Sequence, residues 1–162
     1  MSDKILNVII DSCTYGNLIK DKLDGEKIVE KIMRDNKFVV YNFRVIRNEL
    51  RNAPKPVLTI YDKIVSSNII TESSQILKLA EEYYNEYINN GGGKGKKSIV
   101  TDFKIVACAS IKNCDLIFSD DCATMKCKNA LNAYRIVNLR FNYRTPTFYS
   151  YSDLKKRYST TC

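Results

Sequence analysis

The sequence predicts an α/β fold, a three-layer α/β/α sandwich around a central, mainly parallel sheet of four to five strands. Three observations lead there. Short apolar or β-branched runs at Ile5 to Ile10, Phe38 to Tyr41 and Asp115 to Ser119 have the near-continuous hydrophobicity of strands covered on both faces. Stretches with helical spacing separate these runs, and strands alternating with helices give a parallel sheet with right-handed crossovers. Finally, two of the runs end in acids, Asp11 and the pair Asp120-Asp121, as buried strands do when they deliver charged groups to one sheet edge.

A chain of 162 residues fits one domain, 1–162, large enough to bury about two-thirds of its unfolded surface. Lys and Arg number 26 against 18 Asp and Glu, giving a net charge of +8 with no His. Acid–base or metal chemistry therefore falls to carboxylates, thiols, lysines or tyrosines, which excludes most hydrolase triads. The basic balance favours a polyanionic partner, with nucleic acid ahead of an acidic membrane, though it also serves plain solubility. The six cysteines (13, 108, 114, 122, 127 and 162) lack the paired C-x-x-C spacing of a zinc ribbon, and no secretory segment is read before them. They are expected to be free thiols in a reducing cytoplasm. Charges interrupt every apolar stretch well short of the ~20 residues that span a bilayer, so no membrane partner is expected.

The first strand halts at Asp11, and Ser12 and Thr14 can cap the weak helical segment that carries Leu18 and Ile19. From Gly25 the positions Ile28, Val29, Ile32 and Met33 fall on one helical face, and Asp35-Asn36 stops the helix before the second strand. Val45, Ile46, Glu49 and Leu50 are again at helical intervals, until Pro54 and Pro56 close that segment. A further helix fits Val57 to Val65, with Ser66-Ser67-Asn68 read as a loop. Thr71 or Ser73 caps a long helix bearing Ile76, Leu77, Leu79, Ala80, Tyr83, Tyr84 and Tyr87. Its tyrosines are read as the edge of a core-facing stripe in preference to a base-stacking platform.

Asn89 to Ser98 carries four glycines and the lysines Lys94, Lys96 and Lys97. It is not a Walker loop, because Gly95-Lys96 is followed by Lys97 and the stretch comes after a helix. We read 89–98 as a flexible Gly/Lys-rich loop, free to swing its lysines onto a phosphate backbone. Ile99 to Ile111 then reads as a helix started by Thr101 or Asp102, Cys122 to Ala133 as another, and Ile136 to Leu139 as a last strand. The remaining tail, with Tyr149, Tyr151 and Lys155-Lys156-Arg157, is expected to be irregular and basic.

Element lengths bring distant acids together. A helix descending from Asp102 for about ten residues covers roughly 15 Å, and a five-residue strand from Asp115 climbs back about 17 Å. Asp121 thus returns to the level of Asp102, and Asp11 joins them because parallel strands end on one edge. Glu49 reaches them if its helix leans across that edge. Carboxylates about 4 Å apart repel by about 4 kcal/mol per pair at an effective dielectric of about 20, and a divalent cation reverses that sign. Oxygen donors without His suit Mg²⁺ or Mn²⁺, which can activate a water and offset charge on a phosphodiester. Taken singly, Asp11 and Asp121 could cap segments, Asp102 could favour a helix terminus, and Glu49 could be a solvated residue. Jointly, those readings make the shared edge a coincidence.

The ordered stretches Val8-Ile9-Ile10-Asp11-Ser12, Val45-Ile46-Arg47-Asn48-Glu49-Leu50, Thr101-Asp102-Phe103-Lys104-Ile105-Val106-Ala107-Cys108-Ala109 and Ile117-Phe118-Ser119-Asp120-Asp121 resemble the acidic motifs of PIN-domain ribonucleases. The resemblance runs to Thr145-Pro146-Thr147-Phe148 and is similar to that of toxin-type PIN endoribonucleases of toxin–antitoxin systems. It implies a PIN-like fold and a metal-dependent endoribonuclease that hydrolyses RNA phosphodiester bonds. Asp11, Glu49, Asp102 and Asp121 would be the catalytic acids and metal ligands, with Ser12 and Ser119 as supporting hydroxyls and Asp120 turned aside. The implied cofactor is Mg²⁺ or Mn²⁺. The implied partners are RNA, guided by Lys94, Lys96 and Lys97, a small antitoxin protein, and a second copy in a homodimer. The alternative is a non-catalytic RNA-binding PIN scaffold in ribosome or RNA assembly. A phosphoacceptor receiver domain ranks lower, because the paired acids come late and Asp11 stands alone.

Overall fold

The computed structural model describes residues 4–158. Strand β1 (Leu6–Ile10) is followed by helices α1 (Ser12–Lys20) and α2 (Gly25–Arg34), then by β2 (Phe38–Phe43), α3 (Arg44–Leu50), α4 (Lys55–Ile64) and β3 (Val65–Ile70). The second half comprises α5 (Ser74–Asn89), α6 (Lys96–Ile111), β4 (Leu116–Phe118), α7 (Lys128–Phe141), β5 (Thr147–Tyr149) and α8 (Tyr151–Tyr158). All four strand pairings are parallel, in the order β3-β2-β1-β4-β5.

That order defines the layers. The chain winds outward from β1 to β3, returns across the sheet to β4 and winds outward again to β5. With right-handed crossovers, the two halves place their helices on opposite faces. Consistent with this, α1, α2, α4 and α8 pack on one another, while α5, α6 and α7 form a second group. Strand β1 sits between the halves, and its residues Val8, Ile9 and Ile10 are buried from both sides.

Five sequence expectations are corrected here. The Ser66-Ser67-Asn68 stretch belongs to β3 and is not a loop; as an edge strand it needs no apolar alternation, and Ser67 and Asn68 are exposed while Ser66 is half-buried. Helix α4 starts at Lys55 rather than Val57, because Pro54 is its N-cap and Pro56 lies in its first turn, where no N–H is required. Helix α6 starts at Lys96, so Asp102 lies inside the helix and not at its cap. The exposed first turn, Lys96-Lys97-Ser98, carries no apolar periodicity that would reveal it.

The fourth correction is α7. Residues 122–127 form turns, the helix runs from Lys128 to Phe141, and the expected strand at Ile136 to Leu139 lies within it. The misleading run arises because Val137 and Asn138 face the core while Ile136 and Leu139 lie exposed on the other side, Leu139 at 83%. Last, the tail is ordered. Thr147–Tyr149 pairs with β4, and α8 packs on α2. Cys162 lies outside the described residues.

One buried polar network ties the second layer together. The Tyr83 hydroxyl bonds Asn138 Oδ1 at 2.6 Å and Ser110 Oγ at 3.0 Å, and Asn138 Nδ2 donates to Ser110 Oγ and Thr145 Oγ1, both at 3.0 Å. Tyr83 also meets Phe103 and Tyr134 edge-on, so the tyrosine stripe of α5 is core. Buried donors and acceptors are costly only when left unpaired. Replacing Asn138 by Ala leaves Tyr83 and Ser110 with only each other and takes a donor from Thr145 at the α5–α6–α7 junction; we expect a loss of about 1–3 kcal/mol, read as a lower urea midpoint at unchanged m-value. A loss below about 1 kcal/mol would show that water can replace the amide.

Candidate active site

The carboxyl ends of β1 and β4 lie side by side where the winding direction reverses, the place at which an open α/β sheet leaves a crevice. Asp11 follows β1 directly. Its N–H donates to Phe118 O at 2.9 Å, prolonging the β1–β4 ladder, and Thr14 Oγ1 donates to the same carbonyl at 3.3 Å. The Asp11 carboxylate caps α1 by accepting from Ser12 N at 2.8 Å and is only 3% exposed. Ser119 follows β4, its N–H held by Tyr149 O at 2.8 Å, so β5 fixes its position.

Three hydroxyls link the acids in a chain. Ser119 Oγ donates to Asp11 Oδ2 at 2.8 Å and accepts from Asp121 N at 3.1 Å. Ser12 Oγ lies between Asp11 Oδ1 at 3.5 Å and Glu49 Oε1 at 3.4 Å, close enough for its single proton to alternate. Thr124 Oγ1 touches both Asp102 Oδ2 and Asp121 Oδ2. Asp121 in turn shapes its own loop, accepting from Ala123 N at 3.2 Å and Thr124 N at 2.9 Å. Asp11, Glu49, Asp102 and Asp121 thus share one edge, and α3 leans across it far enough to bring Glu49 to Ser12. Asp120 faces elsewhere, accepting from Asn17 Nδ2 at 2.9 Å and from Tyr151 N at 3.2 Å, where α8 begins.

Thr124 and Cys13 were not anticipated from sequence. Thr124 sits in a segment read as helix, and only its position three residues after an Asp hinted at a shared turn. Cys13 Sγ is 3.5 Å from Asp11 Oδ2 and 3.8 Å from Ser119 Oγ. The other thiols behave as core atoms or surface groups: burial pushes Cys108 up to about 12 and raises Cys114 further, which makes both unreactive.

The lysines of the 89–98 segment lie at the same end of the molecule. Lys96 forms an ion pair with Glu81, its ammonium 5.8 Å from the Tyr84 ring. The Lys94 N–H donates to the Tyr87 hydroxyl at 3.1 Å, and Lys97 is exposed. Both Lys96 and Lys97 stand on the first turn of α6, about 7.5–9 Å along its axis from Asp102.

Charge compensation differs sharply between the two sheet edges. At the amino edge, Asp115 pairs with Lys4 and Arg144, and Asp35 with Arg157. Burial works against both carboxylates, yet their hydrogen-bond donors and cations hold them below the usual range. At the carboxyl edge, none of Asp11, Glu49, Asp102 or Asp121 is in a salt bridge among the described residues. Burial, with the negative charge of Asp11 next, pushes Glu49 up to about 7. Asp102 also reaches about 7, through burial and through the charges of Asp11, Asp121 and Glu49, against the opposing bond from Thr124. Burial raises Asp11, in part offset by Ser119, Ser12 and Cys13. The single Thr124 hydroxyl proton is shared between the Asp102 and Asp121 carboxylates.

The donor set is hard oxygen throughout, apart from the Cys13 thiol, and contains no imidazole, which fits Mg²⁺ or Mn²⁺ better than zinc. Among the described residues, no three His, Cys, Asp or Glu side chains converge tightly enough to enclose an ion as they stand. Mg²⁺ needs only one or two protein carboxylates and keeps several waters, so Asp102 and Asp121, brought together by Thr124, meet that smaller requirement.

No protein-family model and no curated protein matches the sequence. Solved structures do match the fold. One is VapBC2 from Rickettsia felis bound to a DNA fragment from their promoter, at 12% identity and a TM-score of 0.54, covering 90% of this chain and 98% of that one. Another is VapBC-1 from nontypeable Haemophilus influenzae, at 13% identity and a TM-score of 0.56, covering 91% and 99%. At such identities the likeness gives the fold: the chain has a PIN-like α/β/α sandwich built on a five-stranded parallel sheet. Among the described residues, no helix is long and apolar enough to cross a membrane.

The raised carboxyls make stability pH-dependent with a definite sign. Glu49 and Asp102 have folded values near 7, above their unfolded values of about 4, so between those limits the native state binds more protons than the unfolded state. Stability then falls as pH rises through that window and levels off above about 7. In metal-free buffer, we expect a higher melting temperature at pH 5.5 than at pH 8, with the difference reduced in Asp102→Asn. A melting temperature that rises over this window would contradict the raised values.

Proposed function

We propose that the protein is a Mg²⁺- or Mn²⁺-dependent endoribonuclease whose acids Asp11, Glu49, Asp102 and Asp121 hold the ion. The observation that supports this most is the set of four carboxylates gathered on one sheet edge with no salt bridge among the described residues, in a chain whose net charge is +8; the nearby Lys126 ammonium bonds the Ser119 carbonyl instead. Uncompensated acids at the switch point of a basic protein are explained by a bound cation and a polyanionic substrate, and poorly explained by stability. When bound, such an ion activates water and offsets charge on the phosphodiester.

The chain's own residues provide the positioning. Ser119 orients Asp11 and fixes the entry to the Asp121 turn, Thr124 sets Asp102 against Asp121, and Ser12 spans the gap to Glu49. Asp102 and Glu49 release their protons near neutrality, so the ion competes with protons that are easily displaced. Lys96 and Lys97, on the first turn of the helix that carries Asp102, and Lys94 just before it, would guide the strand. The fold likeness to VapBC structures supports a toxin-type enzyme with a small antitoxin partner. A homodimer and a cytoplasmic setting belong to the same reading.

A second reading is supported by the absence, among the described residues, of three acids converging on one point. On that reading the protein is a non-catalytic RNA-binding PIN scaffold. Manganese titration separates the two: the enzyme cuts single-stranded RNA only as Mn²⁺ is added, whereas the scaffold binds RNA uncut at every concentration. We expect Asp102→Asn and Asp121→Asn each to lower cleavage by at least ~100-fold with the circular dichroism spectrum unchanged. Asp120→Asn should stay within about twofold of wild type. Full activity in EDTA, or in Asp102→Asn, would sink the nuclease reading.

A further inference from the structure

A groove of about 420 Å³ opens from the acidic edge and runs between α1 and the α3–α4 connection. Ser12 and Glu49 line its inner end, Ile19, Leu50, Pro54 and Val57 its walls, and Lys20 its rim. Its size is that of a small-molecule pocket. Gly16 lies on α1 facing this space, and a Cβ built there meets nothing within 4 Å.

That glycine has no backbone justification. It occupies the middle of a nine-residue helix, it is not among the positive-φ residues, and no neighbour requires the missing side chain. Glycine is among the poorest residues for a helix interior. Where close packing demands a glycine, this chain shows it plainly: at Gly25 a Cβ would sit 2.0 Å from Leu18 O. At Gly16 the only thing that a side chain would fill is the groove.

We propose that this groove is a nucleobase subsite for single-stranded RNA, kept open by the absent side chain of Gly16; this rests on the RNA-directed reading of the adjoining acids. The chemistry matches a nucleotide at three levels. The apolar walls can take the faces of a base by van der Waals contact, and the Ser12 hydroxyl at the inner end can bond its polar edge. Lys20 at the rim, with Arg51 and Lys55 on the opposite stretch, is exposed and in no ion pair among the described residues. Unpaired cations outside, an apolar middle and unpaired acids within follow the order of phosphate, base and scissile bond along a bent strand. The basic rim favours a phosphate-bearing occupant over an apolar protein segment.

The test compares wild type, Gly16→Leu and Lys20→Gln for binding of short fluorescent single-stranded RNAs in EDTA, where no cleavage occurs, and then for cleavage kinetics in Mn²⁺. A parallel set of RNAs carries one abasic residue at successive positions. We expect Gly16→Leu to keep or raise the melting temperature and to weaken RNA binding at least ~10-fold, which is about 1.4 kcal/mol. The loss should appear in KM more than in kcat. One abasic position should weaken wild type by a similar factor and leave Gly16→Leu unaffected. Lys20→Gln should lower the salt slope of binding by about 0.7, the share of one phosphate contact on a single strand. Unchanged RNA binding in Gly16→Leu, or indifference of wild type to every abasic position, overturns the subsite and leaves the groove to a protein segment. Absence of Mn²⁺-dependent cleavage in a wild-type protein that still shows the Gly16 and abasic effects would instead defeat the nuclease reading and retain the subsite.

Discussion

The pairing of β1 with β4 is the constraint on which the rest of the molecule depends. Its last rung, Ile10 opposite Phe118, is followed at once by the Asp11 N–H on the Phe118 carbonyl. That ladder brings residues more than a hundred positions apart to one height, and it can form only because the chain recrosses the sheet between β3 and β4. The recrossing is carried by α5 and α6, the most extensively packed helix pair in the protein. Once it is made, Asp11, Ser119 and Asp121 have little freedom left. The β1–β4–β5 ladder sets their backbones, and Ser119 joins the first acid to the last.

The two edges of this sheet show what the protein does with buried charge when stability alone is at stake. Asp115 and Asp35, at the amino edge, are surrounded by donors and cations that hold their carboxyls below the usual range. Glu49 and Asp102, at the carboxyl edge, are pushed up to about 7, by burial first and by the negative charges of Asp11 and Asp121 after it. A cation does reach that edge, but the Lys126 ammonium is taken up by the Ser119 carbonyl at 2.9 Å and pairs with none of the four acids among the described residues. Carboxylates left without an ion pair are a cost in folding free energy concentrated at one place.

Legibility in the sequence followed burial. The inner strands β1, β2 and β4 were visible as apolar runs because both their faces are covered. The edge strands β3 and β5 were not, since Ser66, Ser67 and Asn68 can be polar at no cost on an open edge and three-residue β5 is too short to show a period. Helix α7 was misread because Ile136 and Leu139 are exposed apolar residues, which periodicity assigns inward. The four acids were legible as strand-end and helix-borne residues, because their placement needs only topology and element length. Thr124 was not, because its part depends on the Asp121 turn, a local geometry that the helical reading of 122–133 had removed. Gly16 was also invisible: a glycine in a weak helical segment looks like a propensity defect until the space beside it is known.

The acids are joined by hydroxyls and not by cations, and the difference matters physically. A lysine placed among these carboxylates would lower their energy so far that a divalent ion would have to displace it. Ser12, Ser119 and Thr124 instead each offer one proton and two lone pairs, enough to hold adjacent carboxylates in register but far too weak to neutralise them. Their protons can rotate away when a stronger charge arrives, leaving the oxygens where they were. The site therefore keeps its geometry while its carboxylates remain without an ion pair among the described residues.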